Sequence, residues 1–254
     1  MASKTIFITG ATSGIGYACA ERFAQAGHQL ILAGRREERL QELRTKLEND
    51  YKIATHVLKL DVTKKEDVYQ AVNKLPFHWK SIDILINNAG LALGLSGIDE
   101  GSDSDWDQMI DTNLKGLLYV SKAVIPLMKE KGGGHIINIG SIAGVETYPK
   151  GNVYCATKHA VSALTKGMRM DLLPYGIKVS LVSPGATETE FSVVRFHGDQ
   201  ERAQNVYTGY QPLTGHDVAE VIFFVATLPK HVNVNDLLVM PTAQASATLF
   251  NKTQ

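Results

Sequence analysis

The chain has 254 residues, 44% of them hydrophobic and 20% charged, a length and balance that suit one large soluble α/β domain. Lysine plus arginine and aspartate plus glutamate both number 26, so no charge excess argues for nucleic acid or an anionic membrane. Two distant cysteines, Cys19 and Cys155, argue against a disulfide scaffold or a structural zinc site, and no apolar run approaches the roughly 18 residues of a membrane span.

The opening "MASKTIFITG" passes straight into a strand pattern without a signal-peptide segment, so a reducing cytoplasm is the expected location. "KTIFITG" predicts a first strand, "GYACAERFAQAGH" a helix ending near Gly27, "QLILAGR" a second strand and "EERLQELRTKLEND" a charged surface helix. "THVLKLDV", "KKEDVYQAVNKL" and "IDILINNAG" continue as strand, helix and strand. "DSDWDQMIDTNLKGLLYVSKAVIPLMKEKGGG" predicts one long helix, capped by Asp103 or Ser104, bent or broken at Pro126 and stopped by the glycines.

"GHIINIGS" is a fifth strand, the segment carrying Tyr154 and Lys158 opens another long helix, and "IKVSLVSPG" is a sixth strand. A loop-rich insert follows at 186–214, then the helix "GHDVAEVIFFVATLP", a last strand "NDLLVMPT" and a tail "AQASATLFNKTQ". Repeated β-α units with apolar strands predict one doubly wound Rossmann-type domain over 1–254, a parallel seven-stranded sheet with helices on both faces. Its first 100 residues or so form the cofactor half in this reading, and 186–214 cap the substrate.

After the first strand comes "TGATSGIG", a glycine-rich turn opening directly into a helix. Glycines let backbone approach a pyrophosphate, and free N–H groups at a helix N-terminus favour an anion. Strand before and helix after supply the context that a nucleotide-binding turn requires. At the end of the second strand, where a carboxylate would accept from a ribose 2′-hydroxyl, stand Arg35 and Arg36. Two guanidiniums suit a 2′-phosphate and so NADP over NAD; taken alone they also suit pairing with Glu37 or Glu38.

Tyr154 and Lys158 lie four residues apart, so they share a helix face. A snorkelling lysine beside a half-buried tyrosine is the commoner meaning of such a pair. The alternative is chemical: a cation one turn away favours phenolate and makes the tyrosine a usable base. Arg195 stands in "FSVVRFHG", flanked by apolar residues, where it can fork onto a substrate carboxylate or pair with a surface acid.

In register along the chain stand "TGATSGIG", "NNAG" at 87–90, Asn113 in "DTNLKG", "GSIAG" with Ser141, "YCATK" and "SPG". With these motifs the sequence resembles the short-chain dehydrogenases/reductases over nearly its whole length. "NNAGLALG", "YPKGNVYCATK" and "TEFSVVRFHGD" make it most similar to the branch of NADP-dependent 3-hydroxy acid dehydrogenases, which also act on serine and allo-threonine.

The resemblance implies NADP(H) as cofactor and a catalytic tetrad of Asn113, Ser141, Tyr154 and Lys158. Gly10, Ala11, Thr12, Ser13, Gly14, Ile15 and Gly16 would hold the pyrophosphate, and Arg35 and Arg36 the 2′-phosphate. Asp61 and Val62 would touch adenine. Asn88, Ala89 and Gly90 would line the adenosine side, and Pro184, Gly185, Thr187 and Thr189 the nicotinamide end. Tyr154 and Lys158 belong to the cofactor contacts as well, Lys158 through the nicotinamide ribose, and Asn113 would hold a water that passes protons from Lys158. Ser141, Tyr154 and Arg195 would meet a small hydroxy acid or semialdehyde, with no metal and no nucleic-acid or membrane partner, in a homotetramer.

Other readings are a short-chain carbonyl or 3-oxoacyl thioester reductase on the same fold, and a non-catalytic NADP-sensing protein. An intact Asn–Ser–Tyr–Lys set disfavours the sensor.

Overall fold

The five inner strands of the central sheet are apolar runs of strand length buried on both faces, and its two edge strands are partly exposed. The strands are β1 (Thr5–Thr9), β2 (Gln29–Gly34), β3 (Thr55–Lys59), β4 (Ile84–Asn87), β5 (Gly134–Ile139), β6 (Ile177–Pro184), two short pieces β7 (Thr187–Glu188) and β8 (Leu213–Thr214), and β9 (Asp236–Val239). The computed structural model describes residues 3–253; Met1, Ala2 and Gln254, the last residue of the expected tail, lie outside the described residues.

Seven strands form one parallel sheet in the order β3-β2-β1-β4-β5-β6-β9, while β7 and β8 pair with each other. Register follows the apolar pattern: Ile6 stands beside Leu30 and Ile84, and Phe7 beside Ile31 and Leu85. Alternate residues therefore face opposite layers. Ile6, Ile8 and Leu32 pack under α1 (Gly14–Gln25), α2 (Glu37–Tyr51) and a late helix at Gly215–Thr227. Phe7, Ile31 and Leu85 pack under α3 (Lys65–Asn73) and a helix at Leu117–Lys131. Chain direction out from β1 reverses between β3 and β4, so the carboxyl ends of β1 and β4 flank the switch point where such sheets bind ligands.

The expected long helix after β4 has three parts. Ser102 is its N-cap, α4 spans Asp103–Ile110, Asp111–Gly116 is a π-helical turn, and α5 runs Leu117–Lys131. Pro126 lies inside α5 without ending it, and Gly132, with φ +83°, does end it. The helix widens instead at Asn113, whose side chain is pulled inward by tertiary hydrogen bonds. The Tyr154–Lys158 segment opens α6 (Asn152–Leu172).

The insert at 186–214 holds β7, two short helices, α7 (Phe191–Arg195) and α8 (Gln200–Asn205), and β8. The chain then forms α9 (Gly215–Thr227) and β9. Beyond β9 the tail folds back on the insert: Phe250 packs on Tyr210 with ring centres 4.9 Å apart, and the Gln244 amide oxygen accepts from the Ala186 N–H at 2.8 Å.

Candidate active site

A cavity of about 580 Å³ opens at the switch point. Its floor at one end is the glycine turn, where Gly10, Thr12, Ser13, Gly14 and Ile15 line it. Gly14, at φ +54°, lets the turn enter α1, and a methyl group there would stand 3.0 Å from Thr189 Cβ on the opposite wall. No acidic residue occupies the first turn of α1, so its positive end stays free for an anion.

Ala11 and Gly16 do not line the cavity; they build the turn from behind. The Ala11 N–H donates to the Ala33 carbonyl at 3.1 Å, and Gly16 lies so close to the Gly10 carbonyl that any side chain would overlap it. The Asn88 side chain likewise spends its amide on structure. Its Nδ2 donates to the carbonyls of Thr9, at 2.9 Å, and Gly10, at 3.1 Å, which pins the turn to β4 while Asn88, Ala89 and Gly90 still border the cavity.

Arg35 and Arg36 line the same cavity but are not equivalent. Among the described residues Arg35 has no hydrogen-bond or ion-pair partner and is exposed. Arg36 is engaged: Nε and Nη2 donate to Thr12 Oγ1 at 3.1 and 2.9 Å, and Nη2 donates to Ser13 Oγ at 2.9 Å. Its Nη1 donates to the Glu190 carboxylate at 2.7 Å. Asp61 and Val62 border the cavity beyond β3, with the Asp61 carboxylate capped by the Thr63 N–H and hydroxyl. A glycine cradle at a helix N-terminus with an uncommitted guanidinium at the end of β2 fits a dinucleotide bearing a 2′-phosphate.

Ser141, Tyr154 and Lys158 come together at the other end of the cavity. The strand-to-turn exit after β5 presents Ser141, whose Oγ accepts from the Ala143 N–H at 3.1 Å. Tyr154 and Lys158 are 8% and 7% exposed, so both ionising groups are largely dehydrated. Burial pushes the Tyr154 phenol above its ordinary range and Tyr148 adds to this, while the Ser141 hydroxyl and the Arg195 charge oppose it. Burial holds Lys158 down to about 8.

Lys158 makes no hydrogen bond to the phenol among the described residues. Its Nζ donates to the Ile139 carbonyl at 2.9 Å and stands 6.0 Å from the Tyr154 ring centre.

Asn113 is buried beside them and does not line the cavity. Its Oδ1 accepts from the Leu91 N–H and its Nδ2 donates to the Leu91 carbonyl, both at 2.8 Å, with a further bond to Thr157 Oγ1 at 3.1 Å. These bonds account for the π turn: one extra residue in the helix aims the amide at the loop after β4. A methyl group at Gly90 would stand 3.2 Å from Asn113 Oδ1 and 3.6 Å from Lys158 Nζ, so the two side chains flank this glycine.

Pro184, Gly185, Thr187 and Thr189 form the far wall. Arg195, at the end of α7, points into the site. Its guanidinium carbon lies 5.5 Å from the Tyr148 ring centre and 5.8 Å from that of Tyr154, its Nε donates to the Gly94 carbonyl at 3.2 Å, and it has no carboxylate partner among the described residues.

Among the aromatic residues of the site that sequence reasoning missed, Tyr148, Tyr207, Tyr210 and Phe250 line the cavity. Three of them come from the insert and the tail, which carry no periodic pattern; the Tyr207–Tyr210 spacing of one helical turn was the only available signal.

The short chain dehydrogenase family model matches residues 4–200. The chain is 46% identical over 245 residues to NADP-dependent 3-hydroxy acid dehydrogenase YdfG of Escherichia coli K12, covering 96% of this chain and 97% of that one. It is 48% identical over 244 residues to sulfoacetaldehyde reductase 2 of Chromohalobacter salexigens, covering 96% of each. Among solved structures, the closed form of serine dehydrogenase complexed with NADP+ superposes with a TM-score of 0.92 at 45% identity, over 98% of this chain and all, 100%, of that one. On its fold, its site and the span of the family match, the chain belongs to the short-chain dehydrogenases.

Proposed function

We propose that the protein is an NADP-dependent oxidoreductase that interconverts the 3-hydroxyl of a short 3-hydroxy acid or β-hydroxy amino acid with the corresponding semialdehyde. Serine, allo-threonine, 3-hydroxypropionate and 3-hydroxyisobutyrate are the types of donor that fit. The NADP dependence of the hydroxy acid dehydrogenase relatives supports the cofactor, as does Arg35 at the cleft, which has no partner among the described residues. The observation that carries the substrate class is Arg195: a guanidinium with no carboxylate partner among the described residues, 5.8 Å from the Tyr154 ring centre and lining the cavity. It suits a carboxylate by forked hydrogen bonds, and a sulfonate by the same charge. The sulfoacetaldehyde reductase relative accords with that breadth.

When bound, NADP(H) supplies or accepts the hydride. The protein's part is proton transfer and positioning. Tyr154 exchanges a proton with the substrate hydroxyl, acting as acid in reduction and as base in oxidation. Ser141 donates to the substrate oxygen and shares its developing charge. Lys158 stands behind the phenol, and Asn113 holds the Leu91 loop and Thr157 around it. The 186–214 segment caps the substrate and presents Arg195. A cytoplasmic homotetramer completes this reading; the free, buried Cys19 and Cys155 accord with a reducing compartment. No helix among the described residues is long and apolar enough to cross a membrane.

The test is NADPH consumption with short aldehydes carrying a carboxylate, a sulfonate or no anion, and NADP reduction with the four hydroxy acids, each repeated with the cofactor lacking the 2′-phosphate. Anionic aldehydes should be preferred by at least about tenfold in kcat/KM, as a charged hydrogen-bonding site rejects an analogue lacking its partner group. Equal turnover of uncharged ketones, or turnover of a 3-oxoacyl thioester in preference, would move the assignment to a general carbonyl or thioester reductase. Tight NADPH binding without any turnover would leave a sensor.

A further inference from the structure

The Glu190 carboxylate ties the cap to the cofactor end of the cleft. Glu190, just before α7, accepts from Arg36 Nη1 at 2.7 Å through Oε2 and from Arg39 Nη1 at 2.6 Å through Oε1. The two arginines sit one turn apart at the start of α2, and the bonds join segments 154 and 151 residues apart in the chain. Burial alone would raise the Glu190 carboxyl, and the hydrogen bonds from Arg36 and Arg39 more than reverse it.

Three observations make this contact more than a surface ion pair. Arg36 also holds Thr12 and Ser13 of the glycine turn, so one guanidinium bridges the turn and the cap. The preceding residue, Thr189, lies directly over Gly14. Residues 189 and 190 thus roof the cleft above the turn, and both line the cavity together with Arg35 and Arg36. Finally, the charges complement a phosphate. Arg35, Arg36 and Arg39 carry three positive charges and Glu190 one negative. A phosphate monoester of about −1.5 to −2 brings the cluster close to neutral, so carboxylate and phosphate share the arginines as joint occupants.

We propose that Glu190 is a positioning residue that latches the cap over the bound cofactor through Arg36 and Arg39, and so governs how fast NADP(H) leaves. The proposal rests on the NADP reading above. Release of oxidised or reduced cofactor ends each turnover and is a common rate-limiting step in enzymes with closing loops.

The experiment is stopped-flow release of NADPH, followed by its fluorescence on chasing with excess NADP+, at low and high KCl. It compares the unaltered protein with Glu190→Gln, Glu190→Asp and Arg39→Met, the last breaking the same latch from the other side. Glu190→Gln and Arg39→Met should release NADPH faster by about three- to tenfold, the range two exposed ion pairs sustain. Glu190→Asp, one methylene shorter, should fall between. Salt should speed release from the unaltered protein more than from either variant, because exposed pairs are screened. If product release limits turnover, kcat rises in the variants while KM for the cofactor rises with it. Release from Glu190→Gln within twofold of the unaltered protein, with parallel salt slopes, would overturn the latch while leaving the cofactor assignment intact. Failure of the unaltered protein to take up NADPH would overturn that assignment, and the latch with it.

Discussion

Tyr154 and Lys158 share one face of α6, yet the lysine's proton goes to the Ile139 carbonyl at 2.9 Å and not to the phenol. Burial acts oppositely on the two groups, raising the phenol and bringing the ammonium to about 8. At neutral pH the phenol is therefore protonated and the lysine largely charged. This is the form needed to donate a proton to a carbonyl. Reduction should run at a constant rate through neutral pH and decline above about 8, as Lys158 loses its charge. Oxidation, which needs the phenolate, should rise with pH over the same range. Tyr154→Phe should lower turnover about a hundredfold or more in both directions while the Kd for NADPH stays within a few-fold of the unaltered value. Initial rates from pH 6 to 10 and a fluorescence titration check both; near-normal turnover of the variant would remove Tyr154 from the chemistry.

Arg35 and Arg36 differ in what they are free to do, and their replacement should separate them. Arg35 has no partner among the described residues and is available to a phosphate, so Arg35→Ala should weaken NADP binding by about tenfold or more and leave NAD binding almost unchanged. Arg36 organises Thr12 and Ser13, so Arg36→Ala should weaken both cofactors. Paired titrations with the two dinucleotides distinguish them. An equal loss for both cofactors in Arg35→Ala would mean that Arg35 does not read the phosphate.

The inner strands were legible because the part of a parallel sheet buried on both faces writes continuous apolar runs, and the cofactor turn because its glycines stand between a strand and a helix. "DTNLKG" reads as ordinary helix, by contrast, because the π turn comes from Asn113 reaching Leu91 and Thr157, contacts that no local pattern encodes. Nor do Arg39 and Glu190 differ in sequence from any other charged surface positions; only the fold brings them together across 151 residues. Phe250 belongs to a tail without periodicity and gains its place from Tyr210. The direction in which Lys158 points is likewise set by the end of β5.

Arg195 should decide which substrates are accepted. Arg195→Ala should raise KM for an anionic aldehyde or hydroxy acid at least about tenfold, while turnover of an uncharged short aldehyde changes little. Arg195→Lys keeps the charge and loses the fork, so its KM should fall between the two. Since Arg195 also ties α7 to Gly94, limited proteolysis of the cap must accompany the kinetics. An unchanged KM in Arg195→Ala with an ordered cap would show that the substrate's anion is held elsewhere.

Far from the cleft, His135 on β5 makes stability depend on acid. It is buried, its Nε2 shares a hydrogen with Ser180 Oγ at 2.8 Å, and its Nδ1 has no partner among the described residues. Burial, reinforced by the charges of Lys178 and Lys4, lowers the imidazole from 6.5 to about 3. The folded pKa is thus below the unfolded one, so between these values the unfolded chain takes up a proton that the folded protein refuses. Stability is complete above about 6.5 and declines as pH falls toward 3, with a slope of up to about 1.4 kcal/mol per pH unit from this residue alone. His28 and His56, also lowered chiefly by burial, contribute in the same direction and remain in a His135 variant. His135→Gln cannot titrate, so between about pH 7.5 and pH 5 it should lose about 2 kcal/mol less than the unaltered protein. Urea unfolding at the two pH values measures the difference. Equal losses in the two proteins would show that His135 accepts its proton in the folded state, through a partner for Nδ1 or through water reaching β5.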